Sequence, residues 1–203
     1  ILAENTWVFG DAFNMTVNDQ SLTKVLEKHL KSTNSDLIID KPVKRVDGRS
    51  GIVDLMLTRA LPTNHSDQVE HLVVELKAPK VKVGAAELNQ VKSYAWAVAA
   101  DERFENLDSR WTFVVISNEL DAFVQQDLKN DKTGSGIAYD VDNIRVLVKT
   151  WSQIIAECKH RLKFMKDELN LNVSATDGLK YIKEHYSEYT EGVEVSEDDL
   201  VMS

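Results

Sequence analysis

The sequence predicts an α/β fold in which a mixed central β-sheet is flanked by helices. Two short runs, 51–57 and 71–77, have the apolar character of buried strands. The segment from Ala85 to Ala100 carries Leu88, Val91 and other apolar residues at helical spacing. Helices and hairpin-connected strands alternate along the chain without an internal repeat, which is the order of a sheet covered by helices.

The individual elements follow from the same patterns, taken in chain order. The predicted strands are short and apolar, and they lie at 37–40, 52–58, 71–77, 111–117 and 144–149. The predicted helices run from Asp19 to about Leu30, from Ala85 to Ala100 and from Trp151 to about Leu169. Asp19 or Ser21 can cap the first helix, and residues 129–136 read as a loop.

Length and composition favour one ordered domain followed by an acidic tail. The chain has 203 residues, 43% of them hydrophobic, and a net charge of −9. Residues 184–203 hold seven of the acidic side chains, whereas residues 1–182 carry 26 acidic and 23 basic ones. We therefore expect a domain at 1–183 and a flexible tail at 184–203.

The cysteine count, the histidine spacing and the apolar runs indicate the compartment of the protein. The single cysteine, Cys158, cannot form an internal disulfide, and the five histidines show no zinc-site spacing. No apolar run reaches 18 residues and no signal peptide is readable, so we expect a soluble cytoplasmic protein that does not contact membranes.

Three charged residues at the ends of apolar strands carry the chemistry. Asp54 lies on the predicted strand at 52–58, and Glu75 and Lys77 lie on the one at 71–77, sharing one face while Leu76 points away. Burying such groups is costly unless they serve each other or a cation. Two carboxylates and the Leu76 backbone carbonyl would suit Mg²⁺ or Mn²⁺, and Lys77 would orient a water molecule and stabilise developing negative charge. The alternative is a solvated edge strand with a surface ion pair.

A glutamine and a tyrosine on the following helix add to this pattern. Gln90 and Tyr94 are four residues apart and therefore lie on one helical face. Asp, then Glu-x-Lys, then Gln-x-x-x-Tyr resembles the PD-(D/E)XK nuclease superfamily, and its RecB-like and Cas-type members in particular. The resemblance implies a restriction-endonuclease-like fold, with Gln90 beside the metal and Tyr94 approaching the DNA backbone or supporting the site. Val53 stands where the family name has proline.

Further segments resemble particular groups of proteins more closely. Trp-Val-Phe-Gly at 7–10 and Glu-Leu-Lys-Ala-Pro at 75–79 look like Shedu-type nuclease domains of bacterial anti-phage defence, often one domain of a longer protein. The strand at 111–117 and the entry to the last helix resemble proteins that carry a GHKL-type ATPase upstream. The resemblance also implies an acidic residue from the first helix near the metal, for which Glu4 is the first candidate and Glu27 the second.

Basic residues on both sides of the candidate site would contact phosphates, offsetting the overall negative charge locally. They are Lys44, Arg45, Arg49, Lys80, Lys82 and Lys92. For any one of them, an ordinary solvated role is the alternative. The sequence contains no base-reading recognition helix, so we expect little direct sequence specificity.

These observations favour a metal-dependent DNA endonuclease domain within a larger bacterial defence protein, and they do not exclude RNA. The alternative is a catalytically inactive module of the same fold that binds nucleic acid or assembles into a larger ATPase complex. Cutting both strands of a duplex usually needs two sites, so we expect a homo-oligomer or neighbouring domains of a longer chain.

Overall fold

A computed structural model gives the architecture of the chain. It describes residues 2–10, 13–32, 39, 41–45, 48–60, 69–104, 109–169 and 183–185. The chain divides into two compact units, Ile1–Cys158 and Lys159–Ser203. The second unit contributes the end of a long helix and a helical turn at 183–185 to the described residues. The predicted boundary at 183/184 stays a prediction.

Within the described ranges, eight strands form two sheets. In chain order they are β1 (Asn14–Ser21), β2 (Ile52–Ala60), β3 (Val69–Leu76), β4 (Lys82–Val83), β5 (Ser109–Ser117), β6 (Glu119–Leu120), β7 (Ile137–Val141) and β8 (Ile144–Thr150). The central sheet has six strands in the order β1-β2-β3-β5-β8-β7, and β4 pairs with β6 in a small second sheet. β3, β5 and β8 are parallel neighbours, whereas β1–β2, β2–β3 and β7–β8 are antiparallel pairs. The central sheet is therefore mixed, which confirms the predicted fold class.

The part of the chain that the structure describes also contains four named α-helices. They are α1 (Leu22–Ser32), α2 (Ala85–Ala99), α3 (Ala122–Asp127) and α4 (Trp151–Leu169). Short 3₁₀ turns lie at Thr6–Val8, Glu102–Phe104 and Leu128–Asn130. None of the helices among the described residues is long and apolar enough to cross a membrane.

Each face of the central sheet buries its own apolar cluster. The larger cluster joins the sheet to α1 and α2 through side chains such as Leu26, Leu88 and Trp111. The smaller cluster joins the opposite face to Phe13 and Ile154, with Trp151 packed against it. This three-layer arrangement leaves the carboxyl end of β3 lying beneath α2, where the candidate site is found.

The predicted start of the first helix is wrong. Asp19 belongs to β1 and has a positive φ of 49°, so it does not begin the helix. α1 starts at Leu22, and the Oγ of Ser21 accepts a hydrogen bond from the Lys24 amide at 3.3 Å. Of the two predicted caps, Ser21 is thus the one in place.

The sequence patterns do not predict β1, β4, β6, β7 or α3. The predicted helices from Ala85 and Trp151 are observed within a residue of their predicted bounds, and the predicted strands at 52–58, 71–77, 111–117 and 144–149 within two residues. The predicted strand at 37–40 lies outside the described residues, apart from Ile39.

Candidate functional site

The ends of β2 and β3 bring two carboxylates together. The antiparallel ladder runs as far as the pair Leu55 and Val74, and Asp54 is the next residue on β2. The Oδ2 atom of Asp54 accepts a hydrogen bond from the Leu76 amide at 2.5 Å. The Asp54 side chain thus adds one more hydrogen bond between β2 and β3. This bond fixes the Asp54 carboxylate next to Glu75 and Lys77.

Glu75 and Lys77 lie on the face that carries α2. Leu76 packs against the apolar cluster of the opposite face, as the alternation along a strand predicts. The Nζ of Lys77 donates to Glu75 Oε1 at 2.9 Å, and the Lys77 amide donates to the Ile116 carbonyl at 2.9 Å. The lysine is therefore held at both its backbone and its ammonium group.

Gln90 and Tyr94 extend this pair from α2. Gln90 Nε2 donates to Glu75 Oε1 at 2.7 Å and to the Tyr94 hydroxyl at 2.8 Å, and its Oε1 accepts from Lys77 Nζ at 2.8 Å. The Tyr94 hydroxyl in turn donates to the Ile52 carbonyl at 3.0 Å. A continuous chain of hydrogen bonds thus links Lys77 and Glu75 to the first residue of β2, two positions before Asp54.

The environment of Glu75 disfavours its charge. The residue is 7% exposed, and burial raises the pKa of its carboxyl, an effect that the neighbouring Asp54 charge increases and Lys77 opposes. Its Oε1 accepts two hydrogen bonds, whereas its Oε2 is buried without a hydrogen-bond partner among the described residues. A buried carboxylate oxygen in this condition is one that a cation would satisfy.

A basic hairpin borders the site on the α2 side. Lys44 and Ser50 form an antiparallel bridge, the Arg45 amide donates to the Arg49 carbonyl at 2.9 Å, and Gly48 makes the turn with a φ of 78°. Lys44 and Arg49 are exposed. The hairpin amide of Val43 donates to Thr23 Oγ1 of α1 at 3.0 Å, which fixes its base.

The loop after β3 carries two of the other predicted phosphate contacts. Lys80 and Lys82 are exposed, and Lys82 forms an ion pair with Glu119 at 2.5 Å. The Ser117 hydroxyl donates to the Val81 carbonyl, and Asn118 Nδ2 donates to the Pro79 carbonyl at 3.2 Å. The loop is therefore fastened to the end of β5. Lys92 lies on α2 with a half-buried side chain.

The two acidic residues predicted as additional metal ligands, Glu4 and Glu27, have different surroundings. Glu27 forms ion pairs with Lys24 and Lys31 at 2.6 and 2.8 Å, and these hydrogen bonds lower the pKa of its carboxyl to about 2. Glu4 is exposed in an amino-terminal turn. Among the described residues, no group of three or more His, Cys, Asp or Glu side chains is arranged to hold a metal ion. A metal role for Glu4 stays a prediction.

Sequence reasoning did not single out Ser93 or the Ile52 carbonyl. Ser93 Oγ accepts a hydrogen bond from Arg45 Nε at 2.9 Å, across 48 positions of the chain. Nothing in the local sequence pattern indicates so distant a pair. The position of Ser93 next to Tyr94 is the one signal that could have drawn attention to it.

Comparison with known proteins adds little. No family model and no curated protein matches this sequence. Among solved structures, the chain is similar to the crystal structure of a repair endonuclease from Pyrococcus abyssi, with 15% sequence identity and a TM-score of 0.37. The alignment covers 73% of this chain, which spans 43% of that protein's length. So weak a likeness carries no argument about function, which has to come from the site itself.

Proposed function

We propose that this chain is a divalent-metal-dependent nuclease domain that hydrolyses phosphodiester bonds in DNA. The observation that carries the proposal is the joining of Asp54, Glu75, Lys77 and Gln90 at the ends of two strands, with Glu75 Oε2 buried and without a partner among the described residues. A purely structural ion pair between Glu75 and Lys77 would require neither the neighbouring Asp54 carboxylate nor the Gln90 amide that binds Glu75 Oε1.

The donor set fits a hard cation. Asp54, Glu75 Oε2 and the Leu76 backbone carbonyl would hold Mg²⁺ or Mn²⁺, since these ions prefer oxygen ligands and retain several waters. When bound, the ion would act as a Lewis acid and lower the pKa of a water molecule. The raised pKa of Glu75 indicates a carboxylate whose charge the protein alone compensates poorly, as expected for a residue that has a cation as its partner.

Lys77 and Gln90 have separate tasks in this proposal. Lys77 Nζ uses two of its three donors on Glu75 and Gln90. Its third N–H, which has no partner among the described residues, can donate to an attacking water or to a phosphate oxygen as negative charge develops. Gln90 occupies Glu75 Oε1 and thereby directs Oε2 toward the cation. The exposed Lys44, Arg49, Lys80 and Lys82 would contact phosphates on either side.

The resemblance of segments 7–10 and 75–79 to Shedu-type domains supports a finer proposal, that the domain serves in a larger bacterial defence protein. Cutting both strands of a duplex would then require a second copy or a neighbouring domain. Light scattering of the purified chain measures whether it self-associates.

Cleavage of supercoiled plasmid tests the nuclease proposal. We expect nicking or linearisation with Mg²⁺ or Mn²⁺ and none with EDTA, and we expect Asp54→Ala and Lys77→Ala to abolish it. Glu70→Gln is the matched control, because Glu70 is a partly buried carboxylate at the other end of β3 that pairs with Arg59 at 2.6 Å. Cutting that survives both site substitutions would refute the mechanism. Wild-type protein that neither cuts plasmid nor binds metal would favour a non-catalytic module.

A further inference from the structure

One arginine of the basic hairpin is engaged with helix α2. Arg45 is half-buried, whereas its neighbours Lys44 and Arg49 are exposed. Its Nε donates to Ser93 Oγ at 2.9 Å, and the Ser93 hydroxyl donates to the Gln90 carbonyl at 2.6 Å. Arg45 therefore contacts the turn of α2 that presents Gln90 to Glu75.

The same guanidinium lies against the aromatic ring of Tyr94. Its central carbon is 5.5 Å from the ring centroid, within the range of a cation–π contact. A Cβ placed on Gly51 would lie 2.9 Å from Tyr94 Cε1, so the backbone of Gly51 confines the ring as well. Together these contacts fix the hydroxyl that bridges Gln90 Nε2 and the Ile52 carbonyl.

We infer that Arg45 is a positioning residue, which holds Gln90 and Tyr94 in register with Glu75 and does not act as a phosphate contact. The inference rests on the proposed nuclease function. It separates Arg45 from the other basic residues with which the sequence alone grouped it. Lysine cannot replace arginine here, because it lacks both the Nε–H donor and the planar group that lies over the ring.

The two roles have different signatures in solution. A phosphate contact contributes to DNA affinity and to its dependence on salt, and its removal lowers the salt slope by about one. A positioning residue acts on the reacting groups, so its loss lowers kcat while the salt slope of DNA affinity is unchanged. Misplaced supporting residues typically cost about 10- to 100-fold in activity.

The experiment compares kcat and KM for plasmid nicking in Mg²⁺ with duplex affinity in EDTA at several salt concentrations. We expect Arg45→Lys and Ser93→Ala each to lower kcat about tenfold or more. We expect their combination to cost little more than either alone, because both remove the same contact. Arg45→Met should leave the salt slope unchanged, and Lys44→Ala should reduce it. Arg145→Lys is the matched control, since this arginine pairs with Asp140 on β7 and its loss should leave kcat unchanged.

Two results would overturn the inference while leaving the nuclease intact. In the first, Arg45→Lys and Ser93→Ala, folded by circular dichroism, cut plasmid at the wild-type kcat. In the second, Arg45→Met lowers the salt slope as Lys44→Ala does. A wild-type protein that does not cut with either metal would overturn the proposed function and this inference together.

Discussion

At the scale of single residues, the pair formed by Glu75 and Lys77 is costly to the free protein. The two side chains are only 9 and 16% exposed, and burial raises the pKa of the Glu75 carboxyl. Attraction between buried charges often fails to compensate for their desolvation, so such a pair contributes little net stability. The proposed cation and phosphate would give both charges partners that the isolated pair lacks.

Replacing the lysine exposes this cost. Lys77→Met leaves the Glu75 carboxylate buried without its cationic partner, and we expect a loss of about 2 kcal/mol or more in unfolding free energy at pH 8. Because the folded-state pKa of Glu75 is raised, its charge destabilises the fold above that pKa, and this effect disappears as the pH falls toward the unfolded value. The deficit of the variant should therefore shrink toward pH 4.5.

Urea unfolding at pH 8 and pH 4.5 measures the difference. Lys82→Met is the matched control, because its pair with Glu119 has side chains that are 63 and 61% exposed. We expect this control to change stability by less than about 1 kcal/mol at either pH. A Lys77→Met deficit that is the same at both pH values would show that the Glu75 charge is not its cause.

At the scale of elements, sequence reasoning succeeded where an element carries a long, strong pattern. β3 and α2 bury most of their residues, so their apolar patterns predict both their existence and their type. Asp54, Glu75 and Gln90 lie on elements of this kind and Lys77 directly follows β3, so the pattern that resembles the PD-(D/E)XK superfamily falls on segments whose type the sequence predicts.

The missed elements are those that have no strong apolar pattern of their own. β1 has the polar sequence Asn-Met-Thr-Val-Asn-Asp-Gln-Ser and is an edge strand, so its pairing with β2 determines its conformation. α3 has only six residues, too few for a periodic pattern, and depends on Asp121, whose Oδ1 accepts from the Val124 amide at 2.8 Å. The contact between Arg45 and Ser93 likewise joins residues that no local pattern connects.

The pairing of β7 with β8 requires a glycine at position 136, in the loop before β7. Gly136 has a φ of 80°, and a Cβ there would overlap sterically with the Val148 carbonyl oxygen. We expect Gly136→Ala to destabilise the protein by about 3 kcal/mol or more, because strain and a steric clash add together.

Gly134→Ala is the control for Gly136→Ala. Gly134 has a similar φ of 68°, but a Cβ there would meet nothing within 4 Å. This variant should lower the unfolding free energy by only about 1–2 kcal/mol, the cost of a left-handed conformation for alanine. Thermal unfolding compares the two variants, and equal losses would contradict the close packing of β7 on β8.

At the scale of the whole molecule, the pH dependence of stability should come from two buried histidines. They lie on the sheet face that carries the larger apolar cluster. His29 Nδ1 and His71 Nε2 are 3.0 Å apart, and both rings lie against Trp111. Burial lowers the pKa of His29 to about 4 and that of His71 to about 3. Both side chains are therefore neutral in the folded protein at pH 7.

This pair predicts a loss of stability in mild acid. The unfolded chain binds protons at these histidines below about pH 6.5, whereas the folded protein does not, so stability is full above that pH and falls below it. Each histidine contributes a slope of up to about 1.4 kcal/mol per pH unit. Urea unfolding between pH 7 and pH 5 measures this slope. His160→Gln, at an exposed position of α4, should retain the slope, and a flat profile for the wild type would contradict the neutral buried pair.

The proposed function depends on Asp54 and Glu75 forming one divalent cation site. Calorimetric titration with Mn²⁺ tests it most directly, since it depends on neither a substrate nor an oligomeric state. We predict one binding site per chain, lost in Asp54→Asn and in Glu75→Gln and retained in Glu70→Gln. Binding that persists in both site variants, or that is absent from the folded wild type, would contradict the claim.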